Sequence, residues 1–215
     1  MMLKKLLLIS TLLSTTAFAQ FNYNISEITP SIKKRMQDGN SWREGCPVSL
    51  LDLRYIQLNH WNFNAEVESG EIIVHKEVAE ELVYIFEELY NMKYPINKMQ
   101  LVSEYDGDDW KSIEADNTSA FNCRPVTGKK KKWSKHAYGR AIDINPIENP
   151  YISRNGHISH EASLKYRKRV HKVDTSADKA VLLKSDEAVQ IFKKYGWKWG
   201  GDWHSIKDYQ HFVKK

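Results

Sequence analysis

Glu71-Ile72-Ile73-Val74-His75 runs directly into Lys76-Glu77-Val78-Ala79-Glu80-Glu81-Leu82-Val83-Tyr84-Ile85-Phe86-Glu87-Glu88-Leu89-Tyr90-Asn91. The first piece is a short apolar run of the kind found in an edge or turn-bounded strand. In the second, Val78, Leu82, Ile85, Phe86 and Leu89 recur at three- and four-residue spacing, which is the stripe of an amphipathic helix. Pro95 lies beyond its end as a terminator. Upstream, Leu50 to Asn59 alternates in strand fashion, with Leu51, Leu53, Tyr55 and Gln57 on one side. A short helix over Ser31 to Gln37, closed by Asp38-Gly39, interrupts a polar lead-in over residues 20–45.

Downstream, Met99 to Tyr105 reads as a strand stopped by Asp106-Gly107-Asp108-Asp109, and Asn117 to Arg124 reads as loop. Arg140 to Asn145 alternates small or apolar with charged residues and is closed by Pro146 and Pro150. Residues 147–180 are polar, with a helix expected in the middle. A second helix is expected over Asp186 to Tyr195, capped by Ser185 and ended by Gly196, and a final strand over Gln210 to Val213. No repeat or low-complexity segment divides the chain. The expected fold is therefore one α+β domain with a small antiparallel sheet and flanking helices.

The chain has 215 residues, enough for one substantial domain. Met1-Met2-Leu3-Lys4-Lys5, the apolar run Leu6 to Leu13 and Ala17-Phe18-Ala19 have the layout of a signal peptide cleaved after Ala19. The expected division is a leader over residues 1–19 and a folded domain over 20–215. The run is shorter than the ~20 residues that span a bilayer. An exported protein, periplasmic or secreted and free of the membrane after cleavage, is the expectation.

The net charge of +5 includes Lys4 and Lys5, so the mature chain carries +3. The excess is local, at Lys129 to Lys132 and between Lys165 and Lys172, and a solvated face is its ordinary explanation. Nucleic acid is not an expected partner of an exported, mildly basic chain; an anionic wall surface suits the address better. Cys46 and Cys123 are expected to pair in an oxidising compartment, against a free buried pair or metal ligands, for which neither has a partner at finger spacing.

The chemistry concentrates in Ser134-Lys135-His136-Ala137-Tyr138-Gly139-Arg140-Ala141-Ile142-Asp143 and, later, in Trp199-Gly200-Gly201-Asp202-Trp203 and Asp208-Tyr209-Gln210-His211. His136 and Asp143 would share a face on a helix and lie on opposite faces of a strand, but a turn at Gly139 can bring both to one point. The rival is a salt bridge between Asp143 and Arg140. Two histidines and a carboxylate can hold zinc and leave a position for water, and a second carboxylate can take that water's proton. Asp208, three residues before His211, suits the base. Asp202 is a rival base and His204 a rival ligand, ranked lower because Asp202 follows the glycines and His204 lacks ligand-like spacing. Trp197, Trp199 and Trp203 are available to wall off water. His157 and His160 have metal-like spacing on a polar loop, where surface placement is the commoner outcome. His60, His75 and His171 have no companions and read as structural.

Ser-x-His-x-x-Gly-x-Ala-x-Asp followed by Gly-Gly-x-Trp and Asp-x-x-His resembles peptidase family M15, the zinc D-alanyl-D-alanine carboxypeptidases and L-alanyl-D-glutamate endopeptidases of cell walls. The segment Asp116 to Arg124 is similar to the endolysin-like branch, and the likeness covers a core of about 41–213. The resemblance implies a fold of the Hedgehog/DD-peptidase type and one Zn2+ held by His136, Asp143 and His211. It also implies Asp208 as general base, Arg124 as oxyanion stabiliser and Ser134 as a substrate contact. The implied substrate is the stem peptide of peptidoglycan. The alternative is a catalytically silent zinc-holding module that binds the wall, against which Asp208 and Arg124 together argue.

Overall fold

The computed structural model describes residues 20–171 and 175–215, so the leader expected over 1–19 lies outside the described residues. The first layer is built from β1 (Tyr23–Ser26), α1 (Pro30–Asp38), β2 (Leu53–Trp61) and β3 (Val67–His75). The strands form an antiparallel sheet in the order β1-β2-β3, with Tyr55 opposite Ile73 and Ile56 opposite Ile72. Helix α1 starts at Pro30 and is capped by the Thr29 hydroxyl, which accepts from Ile32 N. Strands β1 and the first half of β3 lie in stretches too polar to read as strands.

Two faces of this sheet are buried, where alternation had suggested one. Ile56, Leu58, Ile72 and Val74 enter the main core, while Leu53, Tyr55 and Ile73 meet Ile32 and Met36 of α1 in a second cluster. Leu51 belongs to neither: it lies in a 3₁₀ turn and is 79% exposed, and Gln57 is exposed as well. The next helix, α2 (Lys76–Asn91), has the expected bounds, and its stripe of Val78, Leu82, Ile85, Phe86 and Leu89 is buried. His75 caps it, accepting from Glu77 N.

Beyond α2, the strand expected over Met99 to Tyr105 reduces to β4 (Lys98–Met99) followed by a 3₁₀ turn over Val102–Tyr105. The turn brings the Ser103 carbonyl against Gly39, where a Cβ would lie 2.1 Å from that oxygen, so the packing of the turn on α1 needs glycine at 39. The acidic turn read as a stop also starts a helix: Asp108 caps α3 (Asp109–Glu114) through Trp110 N and Lys111 N. Next come β5 (Asn117–Thr118), parallel to β4, and the hairpin β6 (Pro125–Val126) and β7 (Lys129–Trp133), so the lysine run is a strand.

The remaining elements are β8 (Ala141–Asp143), β9 (Tyr151–Ile152), α4 (Ser176–Lys179), α5 (Glu187–Lys194), β10 (Lys198–Trp199), β11 (Lys207–Asp208) and β12 (His211–Val213). Asp186, not Ser185, is the N-cap residue of α5. A second antiparallel sheet has the order β10-β12-β8 and packs Phe212 on Phe192 of α5, with ring centroids 3.9 Å apart. Small antiparallel sheets against α2 and α5 make one α+β domain, as expected.

A disulfide joins Cys46 to Cys123, tying the lead-in to the loop that carries Arg124. In the basic stretch over 165–172, Lys165, Arg167 and Lys168 are exposed, but Arg169 turns inward. It donates to Asn149 Oδ1 and Leu182 O and lies over the Tyr209 ring. Beside it Glu148 is 3% exposed. Burial, and then the neighbouring Asp116, push its carboxyl up to about 9. An unfolded Glu ionises near 4.5, so between about pH 4.5 and 9 the folded chain holds a proton that the unfolded chain has released, and stability falls as pH rises through that window. Glu148→Gln is expected to stabilise the protein at pH 8 by on the order of 2 kcal/mol and to change little at pH 4. Urea unfolding at both values is the check, and equal shifts at the two would refute the buried neutral acid.

Candidate metal centre and cleft

Gly139, with φ +65°, closes the 3₁₀ turn His136–Tyr138 and directs the chain into β8. A Cβ there would lie 2.5 Å from His75 N, so the turn also needs glycine for its packing. Strand register does the rest: His211 on β12 pairs directly with Asp143 on β8. His136, Asp143 and His211 are all buried, each offering one ligand atom within 4.8 Å of the others; among the described residues this is the group of three able to hold an ion. Arg140 is turned away onto Glu77, which removes the rival salt bridge with Asp143.

The spacing of the donors suits zinc. His136 Nε2 lies 3.2 Å from Asp143 Oδ2 and 3.3 Å from His211 Nδ1, and His211 Nδ1 lies 2.8 Å from Asp143 Oδ1. Two donors about 2.05 Å from a tetrahedral ion are roughly 3.3 Å apart. His136 Nδ1 donates to Ala120 O at 2.6 Å, which leaves Nε2 as the free lone pair facing the centre. Burial alone would raise the Asp143 carboxyl, but His136 and His211 hold it well below the usual carboxylate range. Burial lowers His211, yet Asp143 more than offsets it and the imidazole is raised. A cluster this polarised is a charge-dense cradle in a buried place.

Asp208 arrives from a different element, β11, paired with β9 opposite Tyr151. Its Oδ1 is buried without a hydrogen-bond partner among the described residues. Burial pushes its carboxyl up to about 6, with His211 opposing and Asp143 adding to the rise. Gly200 backs it: a Cβ at 200 would lie 2.4 Å from Asp208 O and 2.9 Å from Asp208 Cβ. Gly200→Ala should therefore displace the Asp208 backbone while leaving the ligand triad in place. Turnover is expected to fall about 10²-fold, as for a misplacement near 1 Å, with zinc content unchanged. Normal turnover in that variant would show that the contact does not position Asp208.

Arg124 borders the same cleft, and its Nη2 is held 2.9 Å from Asp109 Oδ1 of α3. Asp109 escaped sequence reading because the acidic turn signalled only an end, not a helix start. Ser134 is buried, its hydroxyl accepts from His136 N at 3.3 Å, and its own N–H donates to Arg124 O. Of the three tryptophans, Trp203 lines the cleft and meets His211 edge-on at 5.5 Å; Trp197 and Trp199 are buried in the core.

The rivals lie elsewhere. Asp202 is exposed and paired with Lys193 at 2.7 Å, and His204 is exposed. His157 is also exposed, while His160 packs at a tilt against Trp110 on the cleft wall, with ring centroids 3.8 Å apart. His75 serves as a helix cap and His171 bonds Asp186. The cleft as a whole measures about 920 Å³, room for a peptide of several residues.

Residues 127–214 match the M15 peptidase family model described as D-alanyl-D-alanine carboxypeptidase. The resemblance to M15 peptidases is thus borne out over the segment that contains His136, Asp143, Asp208 and His211; Arg124 lies just before it. No curated protein and no solved structure matches the chain.

Proposed function

We propose that this chain, an M15-family peptidase by its segment 127–214, is an exported zinc enzyme that cuts the stem peptides of peptidoglycan. The observation that carries the reading is the buried triangle of His136, Asp143 and His211 with Asp208 beside it, its Oδ1 without a hydrogen-bond partner among the described residues. Zinc in that triangle would lower the pKa of a water toward about 7 and polarise a substrate carbonyl. Asp208 takes the proton of the attacking water and later hands it to the leaving amine. The Arg124 guanidinium holds the oxygen on which negative charge develops, while Asp109 fixes it in place. Ser134 contacts the substrate next to His136, and Trp203 excludes bulk water from the His211 side.

Export follows from the leader over residues 1–19, which would place the folded domain in the periplasm or the medium. The bond cut is of the D-alanyl-D-alanine carboxypeptidase or the L-alanyl-D-glutamate endopeptidase type. Mass spectrometry of purified muropeptides before and after digestion, with and without chelator, separates these outcomes by the mass released. New termini that disappear with chelator are the expected result. Unchanged muropeptides with fully zinc-loaded protein would overturn the reading in favour of a wall-binding module.

A further inference from the structure

Lys132, Lys135, Lys198, Lys214 and Lys215 all border the cleft. The sheet around β12 collects most of them: Lys198 lies opposite Val213, Lys214 N donates to Arg140 O, and Arg140 N donates to Lys135 O. Hairpin β6–β7 adds Lys132. Lys214 is committed to Glu81 at 2.8 Å. Lys132, Lys135, Lys198 and Lys215 are exposed, and among the described residues none of them is ion-paired.

The cleft's carboxylates are not paired with these lysines: Asp109 is held by Arg124, Asp143 by the two histidines, Asp108 caps α3, and Asp208 lies buried beside the histidines. Trp110, packed against His160, also lines the cleft. Val213 follows His211 by two residues on the same strand face, so Lys198 begins about 7 Å along the strand from the metal centre. That offset equals about two residues of an extended peptide.

We propose that the lysines at 132, 135, 198 and 215 form a subsite for free carboxylates of an acidic peptide, with Lys198 about two residues along from the bond that is cut. The proposal rests on the peptidase reading above and deepens it: the enzyme selects stems whose carboxyl groups are free over stems in which they are amidated. Exposed cations outside ion pairs raise the local concentration of an anionic ligand, and added salt weakens them.

The test uses the zinc-loaded protein and two synthetic stem peptides identical except that their carboxyl groups are free in one and amidated in the other. At low salt the free-acid peptide is expected to have a KM about tenfold lower, since several weak exposed charge contacts multiply, and the gap should close as salt rises. In K132Q/K135Q/K198Q/K215Q the ratio between the peptides should approach one; K198Q/K215Q alone should move it partway and guards against a misfolded quadruple variant. Binding of both peptides to the metal-free protein, followed by tryptophan fluorescence, gives the same ratio independently of turnover. Equal KM and equal binding in the wild type would overturn the proposal, as would a quadruple variant that keeps the preference. If the variant loses affinity for a polyanion such as DNA but keeps the peptide ratio, the rim serves a polymer and the proposal fails. Peptide preference in binding with no cleavage of either peptide would sink the peptidase reading alone.

Discussion

Asp208→Ala is expected to bind zinc stoichiometrically and to lose turnover by about 10³-fold, within the range for removal of a general acid–base group. The two halves of that result have separate structural causes. Metal content stays because Asp208 is not one of the three mutually close donors, which come from the turn, β8 and β12. Turnover falls because no other described carboxylate is placed to replace it: Asp202 is exposed and engaged with Lys193, and Asp109 is engaged with Arg124. Asp208 acts as a base only when ionised. In the metal-free protein burial holds its carboxyl near 6, and a cation in the adjacent triangle stabilises the carboxylate, so the acid limb of kcat/KM should lie at or below about pH 6. Asp208→Asn, which keeps the volume, should lose both the rate and that limb. Because the folded state raises this pKa from its ordinary 3.8, the ionised group costs stability above pH 6, and the Asn variant should melt no lower than the wild type at pH 7. Full turnover in Asp208→Ala would remove it from the mechanism.

Legibility in the sequence followed physical scale. Helix α2 was readable to its ends because sixteen residues give the apolar stripe several turns in which to repeat. Strand β8 was readable because small and charged residues alternate up to Pro146. Two-residue strands such as β9 and β11 carry too few residues for any period, although β11 is what aims Asp208. Met99 to Tyr105 misled because an apolar run reports burial and not backbone geometry, and here a 3₁₀ turn buries Leu101 and Val102 as well as a strand would. At the site, the motif letters pointed to three residues that the fold brings together, His136, Asp143 and His211, and to Asp208 and Arg124 as candidates on the same cleft. They could not show that Ala120 O orients His136 or that Gly200 lies against Asp208, because those are backbone contacts whose partners have no required identity.

His211→Ala should have the opposite signature to Asp208→Ala: zinc is lost together with activity. The imidazole occupies one corner of the donor triangle, 2.8 Å from Asp143 and 3.3 Å from His136, and removing it leaves two protein ligands where a stable site of this kind needs three. With the ion gone, its several kcal/mol of charge stabilisation go too, so the rate is expected to fall at least about 10³-fold. A stability cost accompanies the loss. Asp143 is 6% exposed and would keep only His136 as a partner, and breaking one side of a buried charged pair costs about 3 kcal/mol. The metal-free variant should therefore unfold at lower urea than the metal-free wild type, a difference that Asp208→Ala should not show. Zinc content by mass spectrometry, urea midpoints and turnover together separate ligand from base. Stoichiometric zinc in His211→Ala would mean that the ion is held without β12, and the solvent-facing His204 would be the first residue to test in its place.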